Sequence, residues 1–174
     1  QIEHGMQETG YGYWGFSPSN NPAAGYREYG VDALGLDGGG YTSDQERTDW
    51  DQPWEECGRV GEPAPTAADY GDGVVTPHAS FLALRYAPQA ALDNLERLSQ
   101  NFDAYGAGGF YDAIAVGSGQ VSQRYLSLDQ GMVMAALGNA LAGDDMRRYV
   151  IPGGLTEKVK PLMVQEEFSA APRP

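Results

Sequence analysis

The sequence is poor in cysteine, in positive charge and in long apolar runs. Its 174 residues include a single cysteine, Cys57, so no disulfide can form within the chain. Eleven basic residues face 24 acidic ones, for a formal net charge of −13. Nucleic acid and anionic membrane surfaces are therefore not expected as partners, because both bind positively charged surfaces. No apolar run approaches the roughly 18 residues of a membrane span.

Histidine is also scarce, with two in the chain. This composition argues against a zinc site built from His and Cys. Carboxylates that could offer oxygens to calcium are present, but their spacing differs from that of an EF-hand loop. They are Asp37, Asp44, Asp49 and Asp51. We expect neither a metal nor a cofactor.

Glycine, by contrast, is abundant, at 24 of 174 residues. Many glycines sit beside aromatic residues, as in "TGYGYWGF" and "YGAGGFYDA". This pairing predicts long ordered loops with closely packed rings rather than flexible linkers. Residues 1–75 show almost no helical periodicity, and residues 42–72 are acidic and polar, so we interpret the latter as a surface excursion.

Helical signals begin at Thr76, a predicted N-cap, which Pro77 follows at the first helical position. Ala87-Pro88 ends this helix and starts another, for which Gly106 is the predicted stop. Its predicted apolar stripe consists of Leu92, Leu95, Leu98 and Phe102.

A third helix is predicted from about Ser127 to Ala142, with a broad apolar face, and "DDMRRYV" predicts a short helix after it. Between the second and third helices, Gly108–Val116 is interpreted as a loop leading into a short strand, which "GSGQ" turns. The fold class is therefore all-α, with long Gly/aromatic loops and a short strand pair. We expect one domain over residues 1–150 and a C-terminal tail over 151–174.

Four ordered blocks identify a family resemblance. They are "GYWGFSPSNNPAAGYREYGVD", "GVVTPHASFLALRYAPQAALDNLERL", "GGFYDAIAV" and "RYLSLDQGMVMAALGNAL". Over roughly Tyr11 to Tyr149 the chain resembles the glucoamylase-like domain family, which includes bacterial endo-β-1,2-glucanases and a domain of cyclic β-1,2-glucan synthases. The resemblance implies part of an (α/α)6 toroid, whose twelve helices need well over 300 residues.

The chain therefore resembles the C-terminal half of such a domain, and Gln1 in place of an initiator methionine fits a processed chain or one piece of a longer product. The missing N-terminal half or a partner chain would complete the ring. The resemblance further implies a glycoside hydrolase acting on a β-glucan, β-1,2-linked, in an extracytoplasmic (periplasmic or secreted) location. The family's acid and base carboxylates are expected upstream of Gly12, which leaves cleft-lining positions here. The alternative is a non-catalytic extracellular protein on the same toroid that binds glycan or assembles with itself.

Asp129 has two possible roles. With Ser127 and Gln130 it fits a capping box, and the helix dipole would favour its charge by about 0.3–1 kcal/mol. The family resemblance instead implies a position facing the cleft, where an ionised Asp129 would hold a sugar hydroxyl or act as a base.

Asp112 lies between Tyr111 and Ala113 in a loop that glycines precede. Burial beside aromatic rings would raise its pKa and suit a general acid, whereas the alternative is an aspartate that binds loop amides. Asp112 and Asp129 are the candidate catalytic residues.

Candidate substrate-binding residues offer ring faces or planar hydrogen-bonding groups to a sugar. Some of these residues have a structural alternative to substrate binding. Arg27 and Glu28 could form an ion pair, Trp14 could pack beneath a loop, and His78 could cap a helix or belong to the core. The candidates are Trp14, Tyr26, Arg27, Glu28, His78, Tyr111 and Gln130.

Overall fold

The computed structural model describes residues 1–27, 29–31, 71–151 and 154–163. Glu28, Cys57, the four aspartates considered for calcium, nearly all of the 42–72 excursion and the tail beyond residue 163 lie outside these ranges. Predictions that rest on them are untested. None of the described helices is both long and apolar enough to cross a membrane.

The N-terminal segment forms a short π-helical turn, His4–Glu8, and a hairpin of two strands, β1 (Ser19–Asn21) and β2 (Gly25–Arg27). The sequence predicted turns and extended pieces but not the helical turn, which is too short for a periodic pattern. Gly5 lies in it because a Cβ there would stand 2.1 Å from the Tyr13 carbonyl oxygen. The backbone of the turn therefore packs directly on the segment that follows.

The first two predicted helices are present as α1 (Pro77–Leu82), which continues as a 3-10 turn over Ala83–Arg85, and α2 (Pro88–Asn101). Proline begins each of them, because its fixed φ suits the first helical turn. α2 stops before the predicted Gly106, since Phe102 is already extended at φ −133° and ψ 154°. The assignment of Leu92 to the apolar stripe of α2 is wrong, because this side chain is 54% exposed.

Three short strands form an antiparallel sheet in the order β3 (Val74–Val75), β6 (Ala113–Ala115) and β7 (Gln120–Ser122). A separate hairpin pairs β4 (Tyr105–Gly106) with β5 (Gly109–Phe110). The predicted loop and turned strand are confirmed in β6, "GSGQ" and β7, but the single predicted strand pair is wrong, because Val74–Val75 adds a third strand. The secondary structure is therefore mainly helical, with several short strands.

The hydrophobic core lies between this sheet, α2 and the N-terminal segment. Its largest fully buried side chains include Phe16, Leu98 and Ile114. Asn94 of α2 ties the N-terminal segment to the helices: its amide nitrogen donates to the Trp14 carbonyl at 2.7 Å and to Ser80 Oγ at 2.9 Å, and its oxygen accepts from the Trp14 amide at 3.3 Å. A fully buried polar side chain thus satisfies backbone groups of a segment without regular structure.

The third helix, α3 (Ser127–Leu141), is confirmed within one residue, and α4 (Asp145–Val150) follows as predicted. The apolar side chains of α3 are only partly covered: Leu128 and Met134 are each 67% exposed, and Leu141 is 84% exposed. The one buried residue of α3 is Asp129. A further helix, α5 (Leu155–Met163), lies within the predicted tail.

We expect Asn94→Leu to lower the free energy of unfolding by about 2–4 kcal/mol, because it leaves the buried Trp14 amide and carbonyl without their partner. Chemical denaturation of the full-length protein measures this change. Gln100→Leu, on the exposed face of the same helix, is the matched control and should change stability by less than about 0.5 kcal/mol. Equal stability of the two variants would contradict the role assigned to Asn94.

The uncovered apolar side chains of α3 predict that the 174-residue chain on its own binds a hydrophobic dye. Replacing Met134 and Leu141 with Glu should reduce dye fluorescence without lowering the melting temperature, because both side chains are mostly exposed. Tyr86→Glu, at an 83% exposed position outside α3, should leave dye binding unchanged. Absence of dye binding by the parent chain would contradict this prediction.

Candidate functional site

A pocket of about 200 Å³ opens where α1, the β4–β5 hairpin and the start of α3 meet. Its wall is largely aromatic and apolar, with two carboxyl groups and one imidazole among the lining side chains. The lining includes Thr76, His78, Phe81, Tyr105, Phe110, Tyr111, Asp112, Asp129, Gln130, Val133, Met134 and Leu137. Five of the nine residues predicted from the sequence therefore share one pocket: His78, Tyr111, Asp112, Asp129 and Gln130.

Asp129 is the third residue of α3, and only 4% of its surface is exposed. The predicted capping box is wrong, because the helix begins at Ser127 itself, with Leu126 as the capping residue and no side-chain cap. Gln130 Nε2 donates to the Phe110 carbonyl at 3.3 Å instead of to the helix terminus. The carboxyl of Asp129 is thus directed into the pocket wall and does not close the end of the helix.

Asp112 lies between β5 and β6 and is 2% exposed. Its Oδ2 accepts a hydrogen bond from the Asn20 backbone amide at 2.8 Å, while its own amide donates to the Arg124 carbonyl at 2.9 Å. Arg124 in turn donates to Asn20 Oδ1 at 3.4 Å. These bonds fix Asp112 between the N-terminal hairpin and the segment that precedes α3. An Asp that binds a loop amide was the structural alternative, and the geometry contains that bond as well as the pocket-facing position.

The Asp112 and Asp129 side chains lie close to each other in the pocket wall, and a hydrogen bond between them is one cause of the raised pKa of Asp112. Such a bond is possible only when one of them carries a proton, because two carboxylates have no donor between them. As carboxylates, Asp112 Oδ1 and Asp129 Oδ2 would each be buried without a hydrogen-bond partner. Burial therefore favours a state in which the pair holds one proton, which the pKa of about 6 for Asp112 places below roughly pH 6.

Burial and the bond to Asp129 raise the pKa of Asp112 to about 6, although the Asn20 bonds oppose this shift. The raised pKa confirms the direction predicted for Asp112. Burial also raises the pKa of Asp129, against the lowering effect of the bond to Asp112. The helix dipole was expected to favour the charge of Asp129, but the net shift of its pKa is upward, because removal from water outweighs the roughly 0.3–1 kcal/mol that the dipole contributes.

His78 is 3% exposed, and both of its ring nitrogens are engaged. Nδ1 lies 2.7 Å from Thr76 Oγ1 and 3.4 Å from Asp129 Oδ2, while Nε2 lies 2.9 Å from Ser17 Oγ. Burial lowers the pKa of His78, and the charge of Asp112 opposes that shift only in part. A neutral imidazole therefore lies next to Asp129. Direct donation from His78 to a substrate remains a prediction.

Tyr111 lies beside Tyr125, with ring centroids 5.1 Å apart and planes inclined by 34°. A side-chain hydrogen bond with Tyr125, in which the neutral Tyr111 hydroxyl is the donor, is the main cause that raises the pKa of Tyr111. Tyr125, Tyr105 and Phe81 were not predicted, although Tyr125 stands four residues before Asp129 in the printed sequence. Their contribution depends on a hairpin and on helix packing that no local pattern specifies.

The remaining predicted residues lie elsewhere. Trp14 is 3% exposed within the core, so the packing alternative fits its position, and its replacement is expected to affect folding first. Tyr26, on β2, is 49% exposed and is not part of the pocket lining. Arg27 belongs to the same strand, and Glu28 lies outside the described residues. Binding roles for these four residues stay predictions.

In the part of the chain that the structure describes, no three His, Cys, Asp or Glu side chains lie close enough to hold a metal ion. The side chains that line the pocket can exchange protons, form hydrogen bonds and offer ring faces to a ligand. Such a combination suits a ligand with many hydroxyl groups and apolar C–H faces.

Comparison with known proteins gives consistent relatives. Residues 6–145 match the family Glycoamylase, described as "Putative glucoamylase". The cyclic beta-(1,2)-glucan synthase NdvB of Rhizobium meliloti (strain 1021) is 34% identical over 110 residues, which are 59% of this chain and 4% of NdvB. The chain thus spans only a small part of this relative.

Solved structures share the fold. An endo-beta-1,2-glucanase from Chitinophaga pinensis, in complex with sophorotriose and glucose, superposes with a TM-score of 0.57 at 19% identity, over 92% of this chain and 31% of the glucanase. A protein from Bacteroides fragilis NCTC 9343, also described as a glucoamylase, gives 0.57 at 23% identity, over 92% and 30%. The chain spans about a third of each. Because the family match covers most of its residues, the chain belongs to the Glycoamylase family, as its ordered sequence blocks predict.

Proposed function

We propose that the protein carrying this chain is a glycoside hydrolase that acts on a β-1,2-linked glucan, and that this chain supplies residues lining its cleft. Family membership, the NdvB relative and the β-1,2-glucanase structure support the substrate class. The observation that carries the proposal is the Asp112–Asp129 pair, two buried carboxyls that share a hydrogen bond in an aromatic pocket.

The pair has no structural justification that would outweigh its cost. Burying two acids near each other is unfavourable, because full ionisation would leave Asp112 Oδ1 and Asp129 Oδ2 without hydrogen-bond partners. Buried carboxyls with raised pKa values in a pocket are typical of functional sites. A sugar hydroxyl can donate to one of these oxygens and accept from the shared proton, which would satisfy both groups at once.

The close pairing also limits the chemistry. Inverting hydrolysis needs two carboxyls about 6.5–9.5 Å apart, with water between them, and retaining hydrolysis needs about 5–5.5 Å. Two carboxyls that hydrogen-bond directly are closer than either arrangement. Asp112 and Asp129 therefore act as one unit that fixes a sugar hydroxyl and exchanges a proton, and a further carboxylate completes the acid–base pair. Glycan binding without hydrolysis is the second candidate function, which the same close pairing favours.

Within this proposal, the chain is part of an (α/α)6 toroid, with α1 and α3 near the cleft. The uncovered apolar surface of α3 supports this arrangement, since a helix that is apolar all round belongs between other helices. An oligo- or polysaccharide is the proposed ligand. The extracytoplasmic location and completion of the ring by an N-terminal half or a partner chain stay predictions.

Asp129→Asn in the full-length protein should reduce kcat/KM on β-1,2-glucan by about 10- to 100-fold, mainly through KM, because the amide cannot share the proton that orients a hydroxyl. Asp112→Asn should have a similar effect, since the two groups act together. Steady-state kinetics measure both. Asp93→Asn, on the exposed face of α2, is the matched control.

Other outcomes have distinct meanings. A loss of roughly 10²–10⁴ in kcat at unchanged KM would make Asp129 the general base itself. Full activity of both variants, with a change only in melting temperature, would make the carboxyls structural and would refute the proposed site. Parent protein that binds the glucan but never cleaves it would favour the second candidate function.

The shared proton predicts a pH dependence of stability. The pKa of Asp112 rises from 3.8 in the unfolded chain to about 6 in the folded protein. Its protonation therefore stabilises the fold at a pH below 3.8, and this contribution is lost as the pH rises through about 6. The melting temperature of Asp112→Asn minus that of the parent should therefore be higher at about pH 7.5 than at about pH 4. Thermal melts across this range measure the difference. A difference that is constant with pH would show that the pair shares no proton.

A further inference from the structure

The β4–β5 hairpin, which we call the aromatic lip (residues 105–110), lies at the wall of the pocket. Tyr105 pairs with Phe110, and Gly106 pairs with Gly109. Both aromatic residues belong to the pocket lining, but Tyr105 is 60% exposed whereas Phe110 is half-buried. A large ring exposed to this degree beside a pocket gains little from burial in the folded chain.

The exposure of Tyr105 does not come from a loose loop. A Cβ at Gly106 would stand 2.5 Å from the hydroxyl oxygens of both Tyr111 and Tyr125, so the hairpin backbone lies directly against this tyrosine pair. The Tyr125 hydroxyl also accepts a hydrogen bond from the Gly108 amide at 3.1 Å. Gly109 adopts φ +99°, which favours glycine at this turn. The lip is therefore held in one position.

Ring contacts continue from the lip into the protein. Tyr105 and Phe110 pack edge to face, with centroids 5.0 Å apart and planes at 89°. Phe110 packs in turn on Phe81 of α1, at 5.9 Å and 68°. These contacts restrict the orientation of the Tyr105 ring, and a ring oriented before binding loses less conformational entropy when a ligand packs on it.

The volume of the pocket limits how many sugar rings it can hold. At about 200 Å³ it is smaller than the roughly 300–1,000 Å³ of pockets that enclose drug-sized ligands. A single sugar ring fits this space, whereas a chain of several rings does not. If one ring occupies the pocket at the Asp112–Asp129 pair, the next ring of the same glycan lies at the mouth, beside the aromatic lip.

We propose that Tyr105 is a stacking residue for this next sugar ring, so that the aromatic lip adds a second binding position to the pocket. The inference rests on the proposed glycan-binding function of the pocket. The C–H face of a pyranose packs on the phenol ring, while the sugar hydroxyls remain in water. Tyr105 thereby favours oligosaccharides over single sugars and touches no group that reacts.

The test compares sophorotriose with glucose as ligands of the full-length protein, by calorimetry and by NMR titration. Tyr105→Ala should weaken sophorotriose binding by about 5- to 50-fold and leave glucose binding within about twofold, because glucose needs only the pocket. Tyr105→Leu, which keeps apolar bulk without a ring, should behave like Tyr105→Ala. Tyr105→Phe and Tyr105→Trp should retain affinity within about threefold, because they keep the ring face. Tyr86→Ala, at an 83% exposed position outside the lining, is the control and should bind both ligands like the parent.

Two results would overturn the inference alone: unchanged sophorotriose affinity in both Tyr105→Ala and Tyr105→Leu, or equal weakening of sophorotriose and glucose. If the parent binds neither ligand, the proposed function fails and this inference fails with it. If Asp129→Asn weakens both ligands while Tyr105→Ala weakens neither, the pocket binds glycan and only the second position is refuted.

Discussion

Two buried carboxyl groups that share a hydrogen bond determine how the rest of the site is arranged. Asp112 follows the β4–β5 hairpin and Asp129 begins α3, so their pairing joins the strand-rich half of the fold to its most apolar helix. Both side chains are almost fully buried, and their other polar neighbours in the described residues belong to the protein. The Asn20 amide binds Asp112 at 2.8 Å, and neutral His78 lies behind Asp129. A charged pair in the same place would leave two buried oxygens without donors.

The residues around this pair form two groups with different roles. Thr76, His78 and Ser17 make a hydrogen-bonded series that holds the back of the pocket. Thr76 is the N-cap residue of α1, as predicted, but its hydroxyl bonds the imidazole two residues later and makes no side-chain cap. Pro77 leaves one helical amide fewer to satisfy. The front of the pocket is aromatic. There the tyrosine pair supports the hairpin, and Gly106 is required because a Cβ at this position would collide with both tyrosine hydroxyls. At Gly106, glycine beside tyrosine is thus a consequence of close packing between backbone and side chain.

α3 differs from the other helices in how its apolar residues are used. α2 buries Ala91, Leu95 and Leu98 on one face and exposes its charged side, which is the usual pattern for a helix at the surface. α3 is apolar on all sides, yet the deepest residue on it is an aspartate. Its sequence therefore suits a helix surrounded by others, and its one buried side chain is a carboxyl. The apolar surface of α3 thus predicts dye binding by the isolated chain, and the burial of Asp129 on the same helix raises the pKa of this carboxyl.

Local sequence determined the helices and the turned strand, because proline at each helix start, glycine at the turns and apolar spacing act over a few residues. It also determined that Asp112, Asp129, His78, Tyr111 and Gln130 were worth considering together, through the ordered blocks that define the family. It failed for the capping box, since Ser127 and Gln130 have the right types but the chain enters the helix one residue earlier, at Leu126. Only tertiary structure decided which polar groups meet: Asn20 reaches Asp112 across 92 residues, and Asn94 reaches Trp14 across 80. It also decided that burial outweighs the helix dipole at Asp129 and that Tyr105 is exposed beside the pocket, because desolvation and exposure depend on the whole packed chain and not on neighbours in sequence.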